Sequence, residues 1–176
     1  METIQKTGGT AGMFLRVRGK GLGMEIEDLL DANSIAADFK ASSKKQVIQS
    51  LARQMAQKTR LSEREIFASL LDREKLGSTG VGKGVAIPHA RIEGLEQITG
   101  FFARLSSPVD FDSVDDRPVD LVFLLLAPVE AGTDHLKALA RVSRLLRDEK
   151  VCAKLRLTKE NGALYAMLAS PAAAAA

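Results

Sequence analysis

Both histidines of this chain stand where their chemistry could be used. His89 directly follows Pro88 after a short apolar run, and His135 lies where a long helical pattern begins. Proline fixes its own backbone angle and stiffens the chain, so the residue after it can present its side chain in one orientation. A neutral imidazole nitrogen is a competent nucleophile near neutral pH. Taken singly, each histidine is equally well explained as an ordinary surface or core residue.

A glycine-rich run lies shortly before His89. Residues 77–84 read GSTGVGKG and hold four of the chain's 14 glycines. The run nearly matches the phosphate loop GxxxxGK[ST] of nucleotide-binding proteins, but Gly84 stands where that loop needs a magnesium-binding hydroxyl. The phosphate loop also leaves a strand and enters a helix, whereas this run follows a predicted helix and precedes a predicted strand. It is therefore interpreted as a flexible turn or as a loop that brings backbone N–H groups close to an anion.

Together these residues suggest phosphoryl transfer. Attack by the His89 ring on a phosphoryl donor would give a phosphohistidine, whose reactive N–P bond can pass the group onward. Arg73 and His135, with backbone donors of the glycine run, would stabilise the equatorial oxygens. Arg73 also has a plainer interpretation, as a cation at the negative end of a helix dipole. The predicted backbone donors are Gly77, Ser78, Thr79, Gly80, Gly82 and Gly84.

Other reaction centres find little support in the sequence. The two histidines are 46 residues apart, without a recognisable zinc spacing, and no GxSxG elbow of a serine hydrolase is present. Cys152 lies among apolar residues and is interpreted as a small buried side chain rather than a thiolate. The aspartates between positions 110 and 120 are interpreted as turn formers, with cation binding as a weaker alternative. We therefore predict no metal and no cofactor.

Length and composition fit one globular domain that needs no disulfide. The chain has 176 residues, of which 45% are hydrophobic and 27% are charged, and it has one cysteine. The longest strongly apolar stretch, 121–129, is too short to cross a bilayer, and no signal-peptide core is found near the N-terminus. These features predict a cytoplasmic protein without membrane insertion.

The basic character of the chain is concentrated at its N-terminus. Residues 1–24 carry four Lys or Arg against one Glu, which accounts for the whole formal net charge of +3. The remaining residues are balanced in charge, and only 5% of the chain is aromatic. Neither a surface for phosphate backbones nor a platform for base stacking is predicted, so nucleic acid is not an expected partner. A nucleic-acid module that uses the leader stays a remote alternative.

Three segments are predicted along the chain. Residues 1–24 form a glycine-rich leader, interpreted as a disordered arm or as an extension from an upstream start site or an expression vector. Residues 25–170 form the folded domain, and residues 171–176 form a flexible tail.

Capping signals and hydrophobic periodicity predict the elements that position these residues. Ser43 and Ser62, each followed three residues later by Gln or Glu, begin two helices, and the second helix ends near Leu76, before Gly77. A third, long helix begins at Thr133 or Asp134. The predicted strands are 85–87, 98–105 and 119–126, and two shorter helices lie at about 148–156 and 160–169. This order predicts an α/β fold, a single domain with a mixed β-sheet flanked by helices.

Segment 73–89, REKLGSTGVGKGVAIPH, closely resembles the active-site segment of enzyme IIA proteins of the fructose/mannitol type. These proteins belong to the bacterial phosphoenolpyruvate-dependent phosphotransferase system, and the resemblance, over about residues 25–170, is greatest to its nitrogen-regulatory branch. It implies that His89 accepts a phosphoryl group from an HPr-like histidine phosphocarrier, and leaves open which ring nitrogen is phosphorylated. It also implies that His135, in a His-Leu pair opening a helix, and Arg73 belong to the active site.

The chain departs from the family pattern at two places. Ala90 and Arg91 follow His89 where Gly-Lys is more usual, which leaves the nucleophile assignment intact. The long leader is the second departure.

The resemblance implies a regulatory phosphocarrier that converts no small-molecule substrate independently. Sugar-transport members pass the phosphoryl group to a IIB domain and are often fused to it and to a membrane IIC domain, and neither is found here. In the regulatory branch, the phosphorylation state governs target proteins in nitrogen and carbon metabolism or potassium homeostasis. One alternative is a separately encoded sugar-specific IIA that phosphorylates a IIB protein. A more remote one is a nucleotide-binding switch that uses residues 77–84.

Overall fold

The computed structural model describes residues 24–170. The predicted tail and all but the last residue of the predicted leader lie outside these described residues. Within them, the helices are α1 (Ile26–Leu29), α2 (Lys44–Thr59), α3 (Glu63–Lys75), α4 (Asp134–Arg147), α5 (Glu149–Leu157) and α6 (Asn161–Leu168). The strands are β1 (Ile35–Phe39), β2 (Gly80–Gly82), β3 (Val85–Ala86), β4 (His89–Ile92), β5 (Thr99–Val109) and β6 (Val119–Pro128).

The strands form one mixed sheet, with the order β1-β5-β6-β3-β2. Strand β6 runs antiparallel to β5 on one side and parallel to β3 and β4 on the other. Strands β3 and β4 lie one after the other along β6: Val85 is opposite Leu121, and His89 is opposite Leu125. The predicted mixed sheet between helices is confirmed.

Two helical layers cover the two faces of the sheet. Helices α2 and α3 pack on one face, and α1, α4, α5 and α6 pack on the other, so that two separate hydrophobic cores form. Strand β6 contributes to both cores, because successive side chains of a strand point to opposite faces. Phe123 belongs to the core under α4, and its neighbour Val122 belongs to the core under α2 and α3. The unbroken apolar sequence of β6 is that of a central strand buried on both sides.

The first two long helices begin as the sequence predicts. The Ser43 side chain accepts a hydrogen bond from Gln46 N at 3.2 Å, and the Ser62 side chain accepts one from Glu65 N at 3.3 Å. Each bond satisfies one of the free N–H groups at a helix start. Helix α3 ends at Lys75, as expected from the glycine two residues later.

Several strands were not predicted, or were predicted too short. Strand β5 extends to Val109, beyond the predicted end at 105, because its ladder with β6 is interrupted after Arg104 and resumes at Val109. Two serines and Pro108 occupy this interruption, where the missing proline N–H is tolerated. The sequence does not predict α1, β1, β2 and β4, because each of these elements has only three to five residues. Among residues 24–170, no helix is long and apolar enough to span a membrane.

Candidate functional site

The ring of His89 is held at both of its nitrogens. Its Nδ1 lies 2.8 Å from the carbonyl oxygen of Ile87, and its Nε2 lies 3.1 Å from Nε of Arg73. A carbonyl only accepts and a guanidinium only donates, so the proton of the neutral ring belongs on Nδ1. The surroundings therefore select the tautomer in which Nε2 carries an unprotonated lone pair.

The backbone around Pro88 fixes where this ring stands. Proline separates β3 from β4, and its carbonyl oxygen accepts a hydrogen bond from Leu125 N of the central strand at 2.9 Å. The preceding residue, Ile87, donates its N–H to the carbonyl of Thr79, also at 2.9 Å. Both sides of the Ile87–Pro88 step are thus tied to neighbouring backbone, and His89 follows as the first residue of β4.

Arg73 reaches His89 from the last turn of α3. While Nε donates to the ring, Nη1 donates to the carbonyl oxygen of Gly77 at 3.0 Å. One planar guanidinium therefore links the ring to the loop that leaves the helix. Arg73 also lies where a cation complements the helix dipole, so both interpretations of the residue agree with its position.

His135 approaches the same ring from the other side of the sheet. It lies in the first turn of α4, is only 7% exposed, and its ring centroid is 5.8 Å from that of His89. Its Nδ1 is buried, and no group among residues 24–170 is within hydrogen-bonding distance of it. An unsatisfied buried polar atom is costly, so a hydrogen-bond partner for this nitrogen would be stabilising.

Arg91 fastens the loop that carries His135 to the strand that carries His89. Its guanidinium donates to the carbonyl oxygens of Val129, at 3.2 Å, and Gly132, at 3.4 Å. Sequence reasoning noted Arg91 only as a departure from the family pattern and missed this contact, because the two segments are about 40 residues apart.

Both rings are easier to keep neutral than a free histidine. Burial lowers the pKa of His89, and the Arg73 guanidinium lowers it further, against the opposite effects of the Ile87 carbonyl and the Glu74 carboxylate. Burial also lowers the pKa of His135, with additional contributions from His89 and Arg91. At neutral pH both rings are therefore mainly neutral, and each keeps one nitrogen with an unprotonated lone pair.

The glycine run uses much of its hydrogen-bonding capacity within the fold. The N–H of Gly77 donates to the carbonyl of Glu74, that of Thr79 to the Glu74 side chain, and that of Gly80 to the Ser78 hydroxyl. The structure thus brings His89, Arg73 and His135 together, whereas the first part of the run serves as a brace beside them.

The second part of the run is the turn of a hairpin that points elsewhere. Gly82, Lys83 and Gly84 connect β2 to β3 with positive φ angles of 95°, 55° and 77°. The Lys83 ammonium pairs with Glu149 at 2.5 Å, and a side chain at Gly84 would meet Arg156. The run enters a strand rather than a helix, so the arrangement gives a nucleotide loop no support.

Cys152 and several of the aspartates between positions 110 and 120 have structural roles in the fold. Cys152 is buried, its thiol donates to the Leu146 carbonyl, and burial raises its pKa. Of the aspartates, Asp112 and Asp116 adopt positive φ as turn formers, and Asp120 pairs with Arg156. In the described part of the chain, no group of three or more His, Cys, Asp or Glu side chains could hold a metal ion.

Two large apolar side chains that are close in sequence to Arg73 and His135 are exposed. Leu76, which follows α3, is 85% exposed, and Leu136, next to His135, is 61% exposed. Exposed apolar side chains that form a contiguous patch are typical of a surface that meets another protein.

The chain is similar to known proteins over most of the described residues. The sequence profile described as "Phosphoenolpyruvate-dependent sugar phosphotransferase system, EIIA 2" matches residues 28–170. A nitrogen regulatory protein of Bradyrhizobium diazoefficiens is 55% identical over 153 residues, which span 87% of this chain and 100% of that protein. The nitrogen regulatory protein of Escherichia coli (strain K12) is 33% identical over 146 residues, 82% of this chain and 90% of that protein.

A solved structure shows the same fold. The crystal structure of the nitrogen regulatory protein IIA-Ntr from Neisseria meningitidis superposes with a TM-score of 0.77 at 36% identity. The match covers 81% of this chain and 98% of that structure.

Proposed function

The chain belongs to the EIIA 2 family of the phosphoenolpyruvate-dependent sugar phosphotransferase system, in its nitrogen-regulatory branch, and from that premise we propose that it is a phosphohistidine carrier. His89 accepts the phosphoryl group on Nε2 from an HPr-like histidine phosphocarrier. The observation that carries the proposal is the fixed tautomer of His89: Nδ1 is bound to the Ile87 carbonyl, and the Nε2 lone pair points to an arginine.

The transfer step exchanges one N–P bond for another. The lone pair of His89 Nε2 attacks phosphorus as the N–P bond of the donor phosphohistidine breaks, and that electron pair returns to the donor ring. The proton on His89 Nδ1 stays in place, and the Ile87 carbonyl stabilises the positive charge that develops on the ring. The protein's task is to align the ring and to stabilise charge on the phosphoryl oxygens.

Arg73 and His135 receive the oxygens from two sides. The Arg73 N–H that occupies Nε2 in the free protein is released when phosphorus binds there, and donates to a phosphoryl oxygen instead. In the tautomer protonated at Nδ1, His135 donates from a nitrogen that has no partner among the described residues. Entry of the phosphoryl group therefore replaces the hydrogen bond between Arg73 and His89 and gives Nδ1 of His135 a partner.

The donor and the targets of this carrier are other proteins. Leu76 and Leu136, close in sequence to Arg73 and His135, supply exposed apolar surface, as a shallow protein–protein contact requires. The relatives are nitrogen regulatory proteins, which favours a carrier whose phosphorylation state governs target proteins in nitrogen and carbon metabolism or potassium homeostasis. Residues 25–170 carry this function, in agreement with the profile match over 28–170.

The test is the intact mass of the protein after incubation with phosphoenolpyruvate, the first enzyme of the system and an HPr-like carrier. We expect one acid-labile phosphoryl group on the parent protein and none on His89→Ala. His135→Ala should still be phosphorylated, but more slowly. Retained phosphorylation of the His89 variant, or no mass change while the donor proteins modify a control acceptor, contradicts the proposal. Onward transfer to a IIB protein would instead indicate the sugar-specific role.

A further inference from the structure

A buried carboxylate lies directly beside Arg73. Glu74 is 8% exposed, and both of its oxygens are bound by the glycine run. Oε1 accepts the backbone N–H of Thr79 at 2.9 Å, and Oε2 accepts the Thr79 hydroxyl at 2.6 Å. One side chain therefore holds Thr79 at two points.

Thr79 is in turn connected to the ring of His89 through two hydrogen bonds. Its carbonyl oxygen accepts the N–H of Ile87 at 2.9 Å, and the carbonyl oxygen of Ile87 accepts Nδ1–H of His89 at 2.8 Å. Each link fixes the position of the next acceptor. Through these bonds the Glu74 carboxylate influences the position of the Ile87 carbonyl, which sets the tautomer of His89.

The carboxylate is itself braced from α2 rather than free to move. Lys44, the first residue of α2, lies 2.8 Å from Glu74 and 3.2 Å from Asp112. The Lys44 ammonium also sits 5.3 Å from the centre of the Phe111 ring. A charge this deeply buried needs such a partner, and the pair anchors Glu74 against two other elements.

We propose that Glu74 is a positioning residue for phosphoryl transfer: through Thr79 and Ile87 it keeps the His89 ring protonated on Nδ1, with Nε2 toward Arg73. The consequence for the reaction rate rests on the proposed function. The tautomer of His89 is a property of the free protein and can be measured without any transfer.

Charged and titratable groups reach the His89 ring from several elements. Arg73 and Glu74 come from α3, and His135 comes from α4. Arg91 of β4 acts on His135. Of the charged groups that act on His89, Arg73 lowers the pKa of the ring and Glu74 raises it, so neutralising Glu74 should lower the pKa of His89.

The test compares Glu74→Gln with Asp72→Asn. Both changes turn a carboxylate of α3 into an amide, but Asp72 is exposed and pairs with Lys75 on the same helix. ¹⁵N NMR of the histidine rings reports tautomer and titration, and rapid quenching with the phosphorylated carrier reports the transfer rate. For Glu74→Gln we expect a larger fraction of Nε2–H tautomer, a lower pKa of His89 and about tenfold slower transfer. Asp72→Asn should match the parent protein in all three.

A second pair of variants covers the case in which Glu74→Gln does not fold. Thr79→Val removes the hydroxyl that binds Oε2, whereas Thr79→Ser keeps it. We expect the valine variant to shift the His89 tautomer and to slow transfer, and the serine variant to restore both.

The outcomes separate this inference from the proposed function. A folded Glu74→Gln protein with the parent's tautomer and titration, even if less stable, would show a purely structural role. A changed tautomer with an unchanged transfer rate would equally overturn the proposal. If the parent protein accepts no phosphoryl group, the proposed function fails, while the NMR comparison still decides whether Glu74 sets the tautomer.

Discussion

Replacing Arg73 by glutamine tests how the site is assembled. The guanidinium contacts both the His89 ring and the loop after α3, with hydrogen bonds of 3.1 Å to His89 and 3.0 Å to Gly77. A hydrogen bond that involves a charged group contributes about 1.5–3 kcal/mol, and about 1.4 kcal/mol is a factor of ten in rate. The loss of one such bond to the phosphoryl group should therefore slow acceptance by roughly 10- to 100-fold.

The same substitution should lower the stability of the fold and remove the effect of Arg73 on the His89 titration. It removes two hydrogen bonds of the free protein, to His89 and Gly77, and a cation in the last turn of a helix, so the free energy of unfolding should fall by about 1–3 kcal/mol. Arg73 is one of the groups that lower the pKa of His89. Without its positive charge the protonated ring is less disfavoured, and the pKa of His89 should rise.

Lys75→Gln is the matched control for this experiment. Lys75 lies in the same last turn of α3, and its side chain is 72% exposed and paired with Asp72. Transfer from the phosphorylated carrier is measured by rapid quenching, the titration by NMR and stability by urea unfolding. If Arg73→Gln accepted the phosphoryl group as fast as Lys75→Gln, or if the pKa of His89 did not rise, the assigned role of Arg73 would be refuted.

Further predictions concern stability. Folding lowers the pKa of both His89 and His135. Below pH about 6.5 the unfolded chain therefore binds more protons than the folded chain. The free energy of unfolding should fall as the pH drops from about 6.5 through the pKa values of the folded protein. Urea unfolding between pH 7.5 and 5.5 checks this, and a His89→Gln/His135→Gln protein with the same pH dependence would contradict it. Gly80→Ala should destabilise by about 1–3 kcal/mol, since the new Cβ would overlap with Oγ of Ser113. Gly162→Ala should stabilise the protein by up to about 1 kcal/mol, because Gly162 lies in α6 and an added Cβ would meet nothing within 4 Å. Equal effects of Gly80→Ala and Gly162→Ala in thermal unfolding would contradict the overlap with Ser113 as the cause.

Sequence patterns predicted best the elements whose determinants are local. The starts of α2 and α3 depend on the side chains of Ser43 and Ser62 and on amides three residues away. Strand β6 is predicted by its own apolar residues. Strand β4, in contrast, has only four residues, and it exists because it pairs with a β6 segment more than 30 positions later, a contact that no local pattern encodes.

In the candidate site, too, the sequence predicted some residues and missed others. His89 and Arg73 are 16 positions apart within one segment that carries a specific resemblance, and the structure places them in contact. Glu74 was missed, although it gives one signal: an acidic residue in the last turn of a helix opposes the dipole and so needs a compensating contact. The glycine run was interpreted as a flexible turn or as a loop whose N–H groups approach an anion, and the second interpretation stays a prediction. Two of these N–H groups, those of Thr79 and Gly80, donate to side-chain acceptors of the fold, Glu74 and Ser78.

The sheet separates the parts of the site mechanically as well as spatially. Arg73 belongs to a helix anchored in one hydrophobic core, and His135 belongs to a helix anchored in the other, with the His89 strand between them. Close-packed interiors transmit strain within a core, but residues without shared partners act independently. Remodelling under α3, at Leu70 for instance, therefore displaces the arginine alone, and remodelling under α4, at Val142, displaces the second histidine alone. Leu70 and Val142 lie in separate cores, so the effects of changing them on the free energy of unfolding should add, even though Arg73 and His135 share the His89 ring as a partner.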